Sequence, residues 1–500
     1  MAPPRAHLLL PSIASAGVVL GALVSVGATG CGVECVGVGC ADEYGASRVA
    51  VHFSDQLTEA GSHNPRRADA RIIGDSDAGV DWSVQAVGGQ LWVGMPELSQ
   101  VRAFSVQPDD ALEHTDWSGA FRSEVKADRL GSGVQILGDA DGDGVLDVAV
   151  SAPGRTATDL GREAGAVLLV PITELDGGMS LLEGGRVRII EGPQAGGQFG
   201  EAMAPCPDID GDGLPELLVG APWLDDRYTS ARTVHLTGGA SLILSTEYPD
   251  TGPTGWNAKG SQLWTGASNG ARAGTAVACA DLIGDSTADL IIGAPFADGE
   301  HEGEGAIYII DGATRLEGEL SLVADRILSG GIENAWLGWS LSTGDLDGDG
   351  RADLIAGAPG HITTPGPDVS RPQGLALVWD GQDLHDGVHD APRVRVTGED
   401  EGDSLGRTVS TADIDNDGDH DLLVGAPRRI VNDAFDAGAL YIFTGAPGHA
   451  GLRPQVSPDD AHAWWEAARP YFQTGGTFTV GDVDSDGQPD LVLVHRRQPG

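Results

Sequence analysis

DADGDGVLDVAVSAPG, residues 139–154, places Asp139, Asp141, Asp143 and Asp147 around two glycines and then runs directly into an apolar segment. Counting Asp139 as position 1, carboxylates fall at positions 1, 3, 5 and 9, the carbonyl of Val145 is free at position 7, and glycines at 4 and 6 let the backbone curl. Oxygen-only donors select Ca²⁺ or Mg²⁺ over zinc, and a pliant loop with this many carboxylates suits the larger ion. Calcium is the expected cofactor.

The same loop recurs along the chain. DIDGDGLPE supplies Asp208, Asp210, Asp212, the Leu214 carbonyl and Glu216. DLDGDGRAD supplies Asp345, Asp347, Asp349, the Arg351 carbonyl and Asp353. DIDNDGDHD supplies Asp413, Asp415, Asp417 and Asp421, with Asp419 at position 7 and its side chain expected to face solvent. DVDSDGQPD supplies Asp482, Asp484, Asp486, the Gln488 carbonyl and Asp490. DLIGDSTAD keeps Asp281, Asp285 and Asp289 but has Ile283 at position 3, so five loops are complete and the sixth is deficient. Two carboxylates about 5 Å apart repel by roughly 3 kcal/mol at an effective dielectric of about 20, so an ion-free loop is expected to open. Extracellular calcium modules hold the ion at about 10⁻⁴ to 10⁻³ M, an affinity suited to a structural ion where calcium is plentiful.

The loop starts are spaced by 69, 73, 64, 68 and 69 residues. About 68 residues accommodate four strands and their turns, the size of a propeller blade. After the loops come DVAVSAP, ELLVGAP, DLIIGAP, DLIAGAP and DLLVGAP, and before most stand Leu130-Gly131, Phe199-Gly200, Leu337-Gly338 and Leu405-Gly406. An EF-hand is excluded, because Val150, Val219 and Ala356 occupy the position of its bidentate glutamate and the flanks are strand-like rather than helical. Taken together, the acidic loop, the small-Pro closure and the apolar-Gly pair resemble the FG-GAP repeat of the integrin α-subunit propeller over roughly residues 48–495. The resemblance implies an all-β, seven-bladed β-propeller of four-stranded antiparallel blades.

SVQAVGGQLWVGMPE, residues 83–97, aligns with the segments on either side of the Asp139 loop, with the loop itself missing and Gly88-Gly89 left as a tight turn. This first blade holds no ion. The last repeat ends after two strands, at LVLV, and SRVAVHF (47–53) and ARIIG (70–74) are expected to supply the other two and close the ring. Blade boundaries are then 80–125, 126–192, 193–266, 267–329, 330–398, 399–474, and 475–495 with 47–75. Helical periodicity is nearly absent; DDAHAWWEAAR, residues 459–469, is the best helix candidate, read as an insertion in blade 6 with Trp464 and Trp465 packed against the sheet.

Arg5 followed by an apolar run from Ile13 to Ala28 reads as a secretory signal over residues 1–30. Ala28-Thr29-Gly30-Cys31 resembles the bacterial lipobox, with Ala28 where that pattern usually has leucine; ordinary signal-peptidase cleavage after Ala28 is the alternative. The resemblance implies lipidation of Cys31, and Val33 in place of aspartate implies an outer-membrane or cell-surface destination, the alternative being a secreted or periplasmic protein. Residues 31–46 form a flexible tether, and 47–500 the propeller. Four further cysteines, Cys35, Cys40, Cys206 and Cys279, permit two disulfides. Cys206 and Cys279 stand two residues ahead of successive loops, so a bridge between blades is one pairing and two free thiols the other.

Acidic residues number 74 against 30 basic ones, a net charge of −44, which opposes binding to nucleic acid or anionic lipid. Six bound calcium ions would reduce the excess to about −32. No His/Cys cluster has zinc spacing, and neither a nucleophile elbow nor a phosphate-binding loop occurs, so the chain is not expected to be an enzyme. The expected function is a calcium-stabilised cell-surface module that binds a protein or polysaccharide ligand, as a monomer touching membrane only through its lipid. A lectin or polysaccharide-active enzyme is the alternative. The expected ligand face lies opposite the calcium loops and carries FADGEHEGEG (296–305), GHITTPGPDVSRPQ (360–373) and Trp223, Trp336 and Trp339.

Overall fold

The acidic hairpin is the inner half of an up-and-down sheet. In the second blade, Val134–Gly138 pairs antiparallel with Asp147–Ser151, which pairs with Ala166–Pro171, which pairs with Arg188–Glu191. A computed structural model describes residues 48–52, 70–73 and 82–495 of the chain, the last with breaks at 88, 107–110, 114–116, 158–161, 173–178, 181–186, 226–235, 246–251, 255–261, 363–370, 387–390, 446–452 and 467–469. The signal segment, Cys31, Cys35, Cys40, the tether and most of 360–373 lie outside the described residues.

Six blades take four antiparallel strands each from one continuous stretch of chain: residues 83–122, 134–191, 202–265, 276–329, 340–397 and 408–466. The expectation of a seven-bladed propeller is corrected by this count to six blades of four antiparallel strands. The remaining sheet is a composite of the two ends of the described chain, because only Phe478–Gly481 and Asp490–His495 remain after the sixth blade. Arg48–His52 lies antiparallel against Asp490–His495, from Arg48 opposite His495 to His52 opposite Leu491, and Ala70–Ile73 follows outside it.

Purely four-stranded sheets are also the minority. Five sheets carry a short fifth strand that runs parallel to the outer one, such as Gly318–Glu319 beside Gln262–Thr265 and Gln455–Val456 beside Val394–Thr397. Each is lent by the following blade and covers a sheet edge that would otherwise stand open.

Blades pack face to face, so a second strand is buried on both sides and reads as a continuous apolar run. In Asp289–Ala294, Leu290 and Ile292 join Leu218 and Leu242 of the blade before, while Ile291 joins Leu354 and Ala356 of the blade after. Each such side chain contributes about 1.5–3 kcal/mol of burial, and the strand's one polar residue is Asp289, which opens it at the acidic loop.

The expected helix at 459–469 is corrected. A capping box between Ser457 and Asp460 around Pro458 turns the chain for one 3-10 turn only, Pro458–Asp460. Ala463–Glu466 then becomes the blade's fourth strand, with Trp465 opposite Leu440 and Trp464 opposite Tyr441. The vacant place beside Ala439–Phe443 and the preference of tryptophan for strands outweigh the weak helical period. Trp465 is buried and Trp464 half-buried, both against the sheet.

Antiparallel order puts all acidic loops at one end of the sheets and the small-Pro turns at the other. In the first blade, Val87 is opposite Gln90, so the residues 88 and 89 alone join the strands, with Gly89 at φ +75°.

Candidate metal centres

The five complete acidic loops fold over the same hydrogen-bond template. In the Asp139 loop, the Ala140 N–H donates to Asp147 Oδ2 at 3.0 Å and the Gly144 N–H to Asp139 Oδ2 at 2.9 Å. The Asp143 N–H donates to Asp141 at 3.1 Å and the Val145 N–H to Asp143 at 2.8 Å. The Asp345 loop repeats this with Leu346 on Asp353 at 3.0 Å, Gly350 on Asp345 at 2.8 Å, Asp349 on Asp347 at 3.2 Å and Arg351 on Asp349 at 2.8 Å. Gly142 and Gly144 have φ of +76° and +84°, values that a side chain would strain.

The curl brings carboxylate oxygens together. Asp139, Asp141 and Asp147 place one oxygen each within 4.8 Å of one another, as do Asp345, Asp347 and Asp353; Asp413, Asp415 and Asp421; and Asp482, Asp484 and Asp490. Asp208, Asp210, Asp212 and Glu216 form a four-membered group. Asp143, Asp349, Asp417 and Asp486, at position 5, stand outside these groups. The Asp281 loop forms no such group among the described residues.

The carboxylate at position 9 opens the second strand and is buried at every loop, with relative exposures of 4% or less. Burial, opposed by its backbone hydrogen bonds and reinforced by the neighbouring carboxylates, pushes Asp147 and Asp421 up to about 6 and Glu216 and Asp490 up to about 7. Asp289 is likewise raised to about 6, chiefly by burial. A buried, negatively charged oxygen is unfavourable unless something positive faces it. Asp139 Oδ1 and Glu216 Oε1 are both buried without a hydrogen-bond partner, which fits a cation at these two loops.

Individual loops differ through residues that no local motif marks. Arg188, on the fourth strand of its blade, forms an ion pair with Asp141. The Ser245 hydroxyl donates to Asp212 Oδ2. At the Asp281 loop, His385 from the short helix Gly381–Asp386 of the next blade sets Nδ1 against the Ile283 carbonyl, and a Cβ on Gly284 would lie 2.1 Å from that nitrogen. There Asp289 takes up the N–H groups of Leu282, Ile283 and Gly312 at 2.7, 2.8 and 3.2 Å. These contacts join residues far apart in sequence, so spacing alone cannot reveal them.

Asp419 does not simply face water. It is half-buried, and its Oδ1 lies 2.3 Å from where a Cβ on Gly348 would stand, so the fifth and sixth blades' loops lean on one another. Near the loop ends, Cys206 and Cys279 form a disulfide between the inner strands of the third and fourth blades, with Cα atoms 5.2 Å apart. On the opposite face, Trp336 and Trp339 lie 5.9 Å apart, centroid to centroid, and Trp223 lies under Arg272.

Comparison with known proteins accords with this geometry. Residues 199–236, 273–310, 337–370 and 405–443 match the FG-GAP repeat, spanning the Asp208, Asp281, Asp345 and Asp413 loops. Integrin alpha-5 of Xenopus laevis is 29% identical over 237 residues, 45% of this chain and 21% of that protein. Phosphatidylinositol-glycan-specific phospholipase D of Bos taurus is 26% identical over 388 residues, 71% of this chain and 42% of that protein. Its human counterpart is 32% identical over 173 residues, 33% of this chain and 19% of that protein. The chain thus spans less than half the length of these relatives. A chain of Kuenenia stuttgartiensis hydrazine synthase superposes with a TM-score of 0.42 at 10% identity, covering 77% of this chain and 80% of that one.

The expectation that the chain is not an enzyme is corrected by these relatives, since several are phospholipases by name. Motif reading sees neighbouring residues only, whereas a propeller face assembles side chains from separate blades. The integrin likeness supports a binding or adhesion module as the kind of protein.

Proposed function

We propose that this chain is an exported, calcium-loaded propeller whose ion loops stiffen one face while the other face binds a macromolecular ligand. The observation that carries the reading is the set of five carboxylate groups on a common backbone template, two of them with buried oxygens that lack a partner. Asp139, Asp141 and Asp147, and their counterparts in the other four loops, hold the ions. Carbonyls at Val145, Leu214, Arg351, Asp419 and Gln488 complete each shell, in the pattern of oxygen-only calcium sites. When bound, the ion cancels the repulsion among the loop carboxylates, and the chain's own residues do the rest by fixing the hairpin.

Export is supported by the Cys206–Cys279 disulfide, a bond that persists in oxidising compartments. In this reading residues 1–30 are a signal, Cys31 carries the lipid, 31–46 are a tether and 47–500 the propeller, displayed at the outer membrane or cell surface.

Native mass spectrometry and thermal unfolding with and without 1 mM calcium test it together. Five bound ions and a marked rise in Tm are expected; at ten times its dissociation constant each ion adds about 1.4 kcal/mol. An unchanged Tm with no bound ion would overturn the calcium reading.

A further inference from the structure

The ends of the sheets opposite the acidic loops carry an alternation of rings and guanidinium groups that crosses four blades. The Arg272 guanidinium lies 4.1 Å from the Trp223 ring centroid and 4.9 Å from that of Phe296. Phe296 meets Trp336 at 5.8 Å and Trp339 at 5.9 Å, and Arg407 lies 4.7 Å over Trp339. All six side chains are half-buried, presenting a continuous strip to solvent.

Packing alone does not account for the residues chosen. The position two before the paired glycine is left-handed in six repeats: Arg129 at φ 54°, Gln198 at 51°, Arg272 at 52°, Trp336 at 61°, Ser404 at 52° and Gln473 at 50°. Glycine or asparagine would relax that backbone, and a bulky residue there is an outlier. The fold therefore imposes the conformation on whatever residue stands there, and what sets Arg272 and Trp336 apart from Arg129 is their place in the line of stacked rings. Space is cleared for Trp336 as well, since a Cβ on Gly360 would lie 2.6 Å from its Cδ2.

The charge pattern sets the ligand's chemistry. Arg429, on the same face, is surrounded by Glu399, Asp400, Asp403 and Glu466 within 3.8 Å. Arg272, in a chain with 74 acidic residues, has no carboxylate within ion-pair distance among the described residues. A guanidinium stacked on rings keeps its N–H donors in its own plane, where they match the two oxygens of a carboxylate. Ring faces, with their negative quadrupole, suit the C–H faces of a sugar.

We propose that this strip binds a carboxylated glycan, a uronate unit pairing with Arg272 and adjoining sugar rings lying on Trp336 and Trp339; the net charge of −44 opposes anions over the surface at large, and Arg272 and Arg407 set two positive charges on the strip against it. The inference rests on the binding-module reading and supplies its ligand class.

Calorimetry of the full chain in 1 mM calcium, with tetragalacturonate against neutral cellotetraose as probes, decides it. Tetragalacturonate is expected to bind, and Arg272→Gln and Trp336→Asn are each expected to weaken it at least tenfold. Asparagine fits the left-handed backbone, so the second variant is expected to fold, as a retained calcium-dependent Tm would show. Arg129→Gln, at the equivalent place in the second blade, should leave binding unchanged. Equal binding of both probes, or tetragalacturonate binding untouched by Arg272→Gln, would overturn the proposal. So would absence of binding by calcium-loaded protein, an outcome that leaves the ion reading standing, whereas failure to load calcium strikes that reading instead.

Discussion

Gly357 and Gly406 face each other across the fifth and sixth blades so closely that a Cβ on Gly357 would lie 1.8 Å from the Gly406 carbonyl oxygen. One belongs to the small-Pro closure and the other to the apolar-Gly pair, so the two halves of the repeat motif are the two sides of one interface. The same approach recurs for Gly220 with Gly274 at 2.0 Å and Gly425 with Gly475 at 2.0 Å. Gly357→Ala is therefore expected to force the blades apart and destabilise by about 1–3 kcal/mol or more. Urea unfolding in saturating calcium measures this; a variant within 0.5 kcal/mol, roughly the scatter of surface substitutions, would show that the interface is looser than the glycines suggest.

Acidity acts in opposite senses on the ion-free and ion-loaded protein. The unfolded carboxyls titrate near 3.8 for Asp and 4.5 for Glu, and in the fold burial raises Asp147 and Asp421 to about 6 and Glu216 and Asp490 to about 7. Between those values the folded chain holds more protons, so this stabilisation is full below the unfolded pKa and lost as pH rises through about 6–7. Calcium competes with those protons, so its affinity should fall as pH drops below about 7. Tm measured from pH 4.5 to 8 in EDTA should fall with rising pH, while the increment produced by calcium should grow. An EDTA curve that rises with pH over this window would contradict the assignment of the buried position-9 acids.

Ion count should distinguish the loops. Asp347→Asn removes a carboxylate from a complete group and is expected to lower the bound calcium from five to four. Asp285→Asn, in the loop where Ile283 stands at position 3 and His385 abuts the backbone, is expected to leave the count at five. Asp285 is exposed and accepts the Thr287 N–H at 2.8 Å, so little stability should change. Native mass spectra of both variants give the counts directly, and a lost ion in Asp285→Asn would mean that the deficient loop is loaded after all.

How much was legible follows the distance over which a residue acts. Asp139 to Asp147 share one hairpin, so their spacing disclosed the loop, its backbone template and the strand that Asp147 begins. Because the loop repeats, so does the hairpin of strands on either side of it. Neither Arg188 on Asp141 nor His385 on Ile283 could be seen, since 47 and 102 residues separate the partners and only the sheet order joins them. The strand at Ala463–Glu466 was misread for a related reason: its neighbour Ala439–Phe443, not its own sequence, decides its conformation. The fifth strands were invisible too, being two- or three-residue pieces such as Gly318–Glu319 that gain their geometry only from the edge they cover.

Arg188 also predicts an inequality among the complete loops. Its guanidinium sits against Asp141, with side-chain exposures of 20% and 16%, so a calcium ion entering the Asp139 loop must displace a charge already in place. A divalent cation and a guanidinium about 5 Å apart repel by roughly 7 kcal/mol at an effective dielectric of about 20, more than enough to make this the weakest of the five loops. Arg188→Gln removes the competitor while keeping a side chain on the strand, and should tighten that loop by about tenfold, or about 1.4 kcal/mol. Calcium titration of wild type is expected to show four ions binding before the fifth, and of the variant to bring the fifth into line with the rest. Raising ionic strength should narrow the gap in wild type only modestly, because the pair is largely shielded from salt. An unchanged weakest step in Arg188→Gln would place the weak site in another loop and leave the Asp141 pair as a purely structural tie.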